Sequence, residues 1–226
     1  PEDDVELRRI TVTNLGDTKR SLDIVSYLEP ALASRKADAA HPAFSKLFLR
    51  AEVVGDQDEI LCTRRPRTDH ERELYFFHRV TMQTSYAPVQ FETSRTRFIG
   101  RGNSLENPAA FTKRRSVGPV RADVDPIASL RVPIELEPGA AETVVFVSGA
   151  ARTREEVDVL AGRYRDLLHV GRAFELAWSR AQVELRNHAY SAGQAELFHR
   201  LAGCLFYNEP TVRGAPELLA ANRLGQ

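Results

Sequence analysis

The spacing of apolar residues changes near residue 150, and this change limits the folds that the chain can adopt. Before it, apolar and polar residues alternate, as in half-buried strands. After it, apolar residues recur every three or four positions, as on one face of a helix. Because strands and helices do not alternate along the chain, we predict a mainly β fold of antiparallel sheets in a sandwich, followed by helices. The predicted regions are a β domain over residues 1–150 and a helical region over residues 151–226.

Eight segments have strand patterns. They are Val5–Asn14, Ser21–Glu29, Phe44–Val54, Glu59–Arg64, Glu73–Gln83, Val89–Ile99, Ser129–Glu137 and Thr143–Ser148. A change of phase at Arg8-Arg9 predicts a β-bulge in the first strand, and the turn that follows predicts the second as its return strand. Both faces of Glu73–Gln83 have aromatic residues, so we expect this strand to be covered on both sides. Pro133 has no N–H to donate, so its position should face an edge or a bulge.

Three helices are predicted after residue 150. Thr153 and Glu156 form a capping box before the first helix, and Ser191 and Gln194 form another before the third. Gly171 should separate the first helix from the second. We expect the helices to pack on the sandwich or on a part of the protein that this chain lacks.

The composition excludes few functions, but it narrows the class of protein to which the chain can belong. The chain has 31 basic and 31 acidic residues, which gives no support for nucleic-acid binding. No apolar stretch has the length of a membrane span, so we expect no direct membrane contact. Cys62 and Cys204 are most simply two buried thiols in a reducing compartment, which favours a cytoplasmic location, and a disulfide between them is the alternative interpretation. The single methionine is Met82, so we expect the chain to be a segment of a longer protein.

No catalytic motif is present in the sequence. It has no nucleophile elbow, no phosphate-binding glycine loop, no HExxH and no paired CxxC, and its acidic residues form no acid–base frame. We therefore predict no catalytic residue, no metal and no cofactor. His78 lies among apolar neighbours, which favours a core position.

Two loops are candidates for binding a polar ligand. Ala40–Phe48 includes His41 and Lys46 in a short segment with a proline. Residues 95–108 combine Arg97, Arg101, Asn103 and Asn107 with two glycines. Guanidinium and amide groups bind sugar hydroxyls and phosphate oxygens. Solvated surface loops remain the alternative interpretation, because arginine is abundant throughout this chain.

Several stretches together resemble a known family. They are Leu7–Asn14, Ala40–Phe48, Thr63–Arg67, Arg97–Gly102, Asn107–Ala110, Asp125–Arg131, Arg172–Trp178, Pro216–Leu219 and Asn222–Gln226. They resemble the phosphorylases of glycoside hydrolase family 94, formerly glycosyltransferase family 36. Within that family, the chain is most similar to the phosphorylase-like region of cyclic β-1,2-glucan synthases.

The resemblance implies a β-supersandwich of the galactose-mutarotase type, then a helical linker, then an (α/α)6 barrel with the catalytic Asp. By this resemblance the chain begins partway into the sandwich and stops just before the barrel. It would then lack the general acid and the phosphate pocket. One departure concerns the sugar site. Related cellobiose phosphorylases have an Arg in the loop after Phe-Leu-Gly, where this chain has Asn103, with Arg101 two residues earlier.

The resemblance also implies a function for the longer protein of which this chain would be a segment, here called the parent protein. The implied reaction is inverting phosphorolysis of a β-glucosidic bond, with inorganic phosphate as co-substrate, in an enzyme anchored in the bacterial inner membrane. The expected partners are a β-glucan, the catalytic barrel and a second copy in a homodimer. We expect this region to be inactive alone. The alternatives are an autonomous carbohydrate-binding module, a region of a soluble β-glucoside phosphorylase, and a purely structural docking segment.

Overall fold

A computed structural model describes residues 3–54, 58–67, 71, 73–84, 87–112, 123–206 and 221. The chain forms two compact units, Pro1–Arg172 and Ala173–Gln226. The first unit contains all the described strands. Of the stretches that carry the family resemblance, Pro216–Leu219 and Asn222–Gln226 lie outside the described residues.

Two antiparallel sheets form the first unit. The larger sheet has the order β1-β8-β5-β4-β3, and the smaller has the order β2-β7-β6. The strands are β1 (Val5–Thr13), β2 (Arg20–Val25), β3 (Leu49–Val54), β4 (Glu59–Arg64), β5 (Leu74–Met82), β6 (Gln90–Ser94), β7 (Pro126–Leu136) and β8 (Ala141–Ala151). Every pairing of these strands is antiparallel, as predicted.

The main hydrophobic core is formed by buried side chains from both sheets. The smaller sheet contributes mostly through β7, and the larger through β4, β5 and β8. The buried members are Ile60, Cys62, Val80, Val89, Ala128, Leu130, Val132, Ile134, Leu136, Val144 and Phe146. The strict alternation of β7 therefore predicted its inward face correctly. Pro133 pairs with Asp23 of β2 and lies beyond the last β7 residue that pairs with β6, so its missing N–H interrupts no ladder.

The helices flank and follow these sheets. They are α1 (Arg35–Ala40), α2 (Pro42–Lys46), α3 (Arg95–Ile99), α4 (Ala109–Thr112), α5 (Arg154–Arg163), α6 (Leu167–Asn187) and α7 (Ala192–Phe206). In the part of the chain that the structure describes, no helix combines the length and the apolar character that crossing a membrane requires.

Helix α5 covers the second face of the larger sheet. Val157 and Ala161 of α5 are buried, and Phe77 of β5 is also fully buried. Arg79 donates from Nη1 to the Ala161 carbonyl at 2.9 Å, and the Thr81 hydroxyl donates to the Tyr164 carbonyl at 2.9 Å. These contacts confirm that β5 is covered on both sides.

Both predicted capping boxes are present. The Thr153 hydroxyl accepts from the Glu156 N–H at 3.1 Å, and the Glu156 carboxylate accepts from the Thr153 N–H. Ser191 and Gln194 make the same reciprocal pair before α7. The predicted break at Gly171 is wrong, because α6 continues through it. The first helix, α5, ends at Arg163, before Gly171 is reached. Asp166 then caps the start of α6, because its carboxylate accepts from the Leu168 N–H at 2.8 Å.

Two predictions about the first strands are also wrong. Strand β1 has no bulge, because its register with β8 is continuous from Val5 to Thr13. Strand β2 pairs with β7 in the other sheet, not with β1. The change of phase has another cause. Val5 contacts the face that includes Phe77, whereas Val12 packs against the core between the sheets.

Two predicted strands turn out to be partly helical. The predicted strand Val89–Ile99 is β6 followed by α3, because Ser94 caps a helix by accepting from the Arg97 N–H at 3.2 Å. The predicted strand Phe44–Val54 begins as the end of α2 and becomes extended only at Leu49.

His78 occupies the predicted core position and is 2% exposed. Its Nε2 hydrogen-bonds with the Ser26 hydroxyl at 2.7 Å, and its Nδ1 with the Ser148 hydroxyl at 2.9 Å. Ser26 follows β2 and Ser148 lies in β8, so His78 links the two sheets. Cys62 is a free, buried thiol, and burial raises its pKa to about 12. The Cys204 side chain lies outside the described residues.

Candidate functional site

A cluster of ion pairs joins α2 and α3 to the ends of β2 and β7. Lys46, the last residue of α2, places Nζ 2.7 Å from Glu29 Oε2 and 2.8 Å from Asp125 Oδ1. Arg95, the first residue of α3, donates from Nε to Glu29 Oε1 at 2.9 Å. The Tyr27 hydroxyl donates to the same oxygen at 2.5 Å. We call these five residues the rim cluster.

The charges of the rim cluster balance one another. Partial burial alone would raise the pKa of Glu29, but hydrogen bonds from Lys46, Tyr27 and Arg95 lower it to about 2. Burial would lower the pKa of Lys46, but its bonds with Asp125 and Glu29 raise it. Glu29 is therefore ionised and Lys46 protonated at neutral pH. A group that transfers protons near neutral pH needs a pKa close to the pH of the reaction, which neither group has.

Helix α3 is anchored by its apolar side. Phe98 is buried, with its ring centroid 4.7 Å from that of Tyr27 and 6.3 Å from that of Phe111. On its polar side, Arg97 Nε lies 3.3 Å from Glu92 Oε2. The Arg97 side chain is 43% exposed, so part of its guanidinium group faces solvent.

The loop after α3 has a backbone shape that requires glycine. Gly100 and Gly102 have φ of 81° and 78°. The Gly100 N–H donates to the Thr96 carbonyl at 2.9 Å, and the Asn103 N–H donates to the Gly100 carbonyl at 3.4 Å. A Cβ atom on Gly100 would lie 2.5 Å from the Ala109 Cβ, so the loop and α4 approach closely. The glycines thus fix the loop between α3 and α4.

The residues predicted to contact a ligand differ in how exposed they are to solvent. Arg101, Asn103 and Asn107 are exposed on the loop, and His41 is exposed between α1 and α2. Lys46 is mostly covered, because its side chain is only 17% exposed and it contacts two carboxylates. The structure brings Lys46 close to α3, which carries Arg97, because Glu29 contacts both Lys46 and Arg95. The exposed residues of the loop are the ones available to a ligand from solvent.

Sequence reasoning missed Tyr27, Glu29 and Asp125, and it included Arg95 only as the first residue of the candidate loop. Glu29 and Asp125 are 96 positions apart by their numbers, and only the fold brings them together. Asp125 belongs to a stretch that carries the family resemblance, which was the one available signal. Among the described residues, no group of three or more His, Cys, Asp or Glu side chains has an arrangement that could hold a metal ion.

Two antiparallel sheets followed by helices, with an exposed loop that contains Arg101, Asn103 and Asn107, are the architecture expected of a domain from a carbohydrate-active enzyme. The comparison with family models agrees. Residues 1–167 match the supersandwich domain of glycosyl hydrolase 94, and the chain belongs to this family.

A curated relative shows where such a segment occurs. The chain is 34% identical over 227 residues to the cyclic beta-(1,2)-glucan synthase NdvB of Rhizobium meliloti (strain 1021). The alignment covers 100% of this chain but only 8% of the synthase. The chain is therefore similar throughout to one segment of a much longer carbohydrate-active enzyme.

Proposed function

We propose that this chain is a non-catalytic region of a cyclic β-1,2-glucan synthase, which supports a catalytic barrel supplied by another part of the protein. The similarity of the whole chain to one segment of such a synthase carries this proposal. The parent would act on β-glucan by inverting phosphorolysis, with inorganic phosphate as co-substrate. It would be anchored in the inner membrane, with this region in the cytoplasm.

The chemistry of the rim cluster supports a structural role. Inverting phosphorolysis needs an acid that protonates the leaving oxygen. Glu29 holds its charge down to a pH of about 2 and is bonded to three neighbours. It is suited to holding two helices in place and not to donating a proton.

An assay for glucose 1-phosphate tests the proposal. The chain is incubated with β-1,2-glucan oligomers and inorganic phosphate, and released glucose 1-phosphate is measured. We expect no release above the protein-free blank. A parallel sample with an added active phosphorylase shows that the substrate is competent. Sustained release by the chain alone would contradict the proposal.

An autonomous carbohydrate-binding module is the second candidate function. It is favoured by the preformed loop, which exposes Arg101, Asn103 and Asn107. In that case calorimetric titration with β-1,2-glucan oligomers should show saturable binding that Arg101→Ala weakens. The matched control is Arg50→Ala, an exposed arginine of β3. No binding to the unsubstituted chain, or equal loss in both variants, would reject this candidate.

A further inference from the structure

A cavity of about 310 Å³ lies at the edge of the larger sheet and shares no lining residue with the rim cluster. Its polar lining comes from Arg9, Gln83, Thr84, Glu142 and Thr143. These residues belong to β1, to the segment after β5, and to the start of β8. No residue of the loop at residues 100–108 lines this cavity, so the cavity is a second candidate site.

The other wall of this edge cavity is apolar. It is formed by Val145 of β8 and by Leu167, Val170 and Gly171 in the first turns of α6. Val145 and Val170 are almost fully buried, so the aliphatic surface that a ligand can reach comes mainly from Ala141 and Leu167. A pyranose ring has hydroxyl groups around its edge and C–H groups on its faces. Hydroxyl, amide, carboxylate and guanidinium groups beside aliphatic side chains suit both parts of such a ring.

The charge of the lining favours an uncharged ligand. Arg9 and Glu142 contribute one positive and one negative formal charge, and the other lining residues are neutral. A phosphate site would need an excess of positive charge, and a cation site an excess of negative charge. The volume lies near the lower end of the range for ligand pockets, about 300–1,000 Å³. A short neutral saccharide fits both properties.

Gly171 lines the edge cavity without a side chain. Glycine inside a helix costs about 1 kcal/mol relative to alanine. Neither a positive φ nor a close neighbour requires glycine here, since an added Cβ would meet no atom within 4 Å. A side chain at this position would therefore find open space, at a residue that lines the cavity.

We propose that the edge cavity binds a short segment of β-glucan, at a site separate from the loop at residues 100–108. This inference rests on the proposed function, which makes β-glucan the saccharide that the protein meets. Binding here would hold part of a long glucan at the edge of the larger sheet.

Filling the edge cavity tests this inference directly. The chain is titrated with linear β-1,2-glucan oligomers, and binding is followed by calorimetry and by amide chemical shifts of residues 141–145. Gly171→Phe should weaken binding by about tenfold or more. The matched control is Gly162→Phe, because Gly162 is also helical, also has open space around an added Cβ, and does not line the cavity. The control should change affinity by less than about twofold.

A conservative change tests the polar wall. Thr143→Val keeps the shape of the side chain and removes a hydroxyl that otherwise bonds with the Thr11 hydroxyl at 2.9 Å. It should weaken binding without lowering the melting temperature of the chain. Unchanged affinity in both Gly171→Phe and Thr143→Val would overturn the inference.

The remaining outcomes separate this inference from the proposed function. Binding that Arg101→Ala abolishes and Gly171→Phe preserves would assign the glucan to the loop and reject the edge cavity. No binding of glucan to the unsubstituted chain would also reject the edge cavity. Neither result bears on the glucose 1-phosphate assay, which tests the proposed function by itself.

Discussion

At the residue scale, the position of His78 determines how the sandwich responds to acid. The imidazole ring hydrogen-bonds with a serine from each sheet and stacks on Phe146 at a centroid distance of 5.7 Å. Burial lowers its pKa from 6.5 to about 4, and the nearby Arg8 charge acts in the same direction. The folded chain thus holds this side chain neutral in a pH range where the unfolded chain protonates it.

This difference predicts a loss of stability in mild acid. Because the unfolded state binds the proton more tightly, the contribution of His78 is complete above its ordinary pKa of 6.5 and is lost as the pH falls toward about 4. Between about pH 7 and about pH 5, the free energy of unfolding should fall by roughly 2 kcal/mol because of this residue. Urea unfolding at both pH values measures the change.

Two variants separate this effect from general acid sensitivity. His78→Gln should be less stable at neutral pH and should lack most of the decrease. His41→Gln, which changes an exposed histidine, should retain it. An equal decrease in His78→Gln and in the unsubstituted chain would contradict the assignment.

Glu29 gives a second prediction at this scale, because it joins two helices to the sheet. Glu29→Gln leaves Lys46 with one carboxylate and weakens the bond from Arg95. We expect a loss of about 1–2 kcal/mol in the free energy of unfolding, since the cluster is partly screened by solvent. The control is Glu6→Gln, which breaks an ion pair whose side chains are 58% and 60% exposed. Equal losses in the two variants would show that the rim cluster has no special role.

At the scale of elements, sequence reasoning succeeded where one periodic pattern matched one environment. Strand β4 has the predicted bounds, and α5 and α7 begin at their predicted capping boxes. It failed where an element changes its environment along its length. The apolar residues of β1 face Phe77 at one end of the strand and the main core at the other. In the sequence, this change of face looks like the change of phase that a bulge produces. The pairing of β2 with β7 could not be predicted either, because the pairing of residues so distant in sequence leaves no local sequence signal.

The loop after α3 gives a prediction about element connections. Gly100 and Gly102 both have positive φ, so alanine should destabilise either position by about 1–2 kcal/mol. Only at Gly100 would the added Cβ meet Ala109. Gly100→Ala should therefore cost about 1–3 kcal/mol more than Gly102→Ala, measured by urea unfolding. Equal costs would show that the close approach of the loop and α4 contributes nothing to stability.

At the scale of the whole molecule, the two units differ in how well their apolar residues are buried. The first unit encloses a core between its sheets. In the second unit, α7 and the end of α6 expose large apolar side chains, namely Leu176, Trp178, Val183, Leu197, Phe198 and Leu201. Large contiguous patches of exposed apolar surface are typical of interaction sites, which makes these helices a candidate for one. If the proposed function is correct, the catalytic barrel covers this surface in the parent protein.

Hydrogen exchange tests that coverage. Amide exchange is measured in this chain and in a longer version of the protein that includes the proposed barrel. Amides of residues 176–201 should exchange at least about tenfold more slowly in the longer protein, because packing stabilises helices against local opening. Buried strand β7 is the internal reference and should exchange equally in both. Trp178→Gln should partly reverse the slowing, since this side chain is 67% exposed in the chain alone. Equal exchange of residues 176–201 in both proteins would rule out the barrel as the partner of these helices.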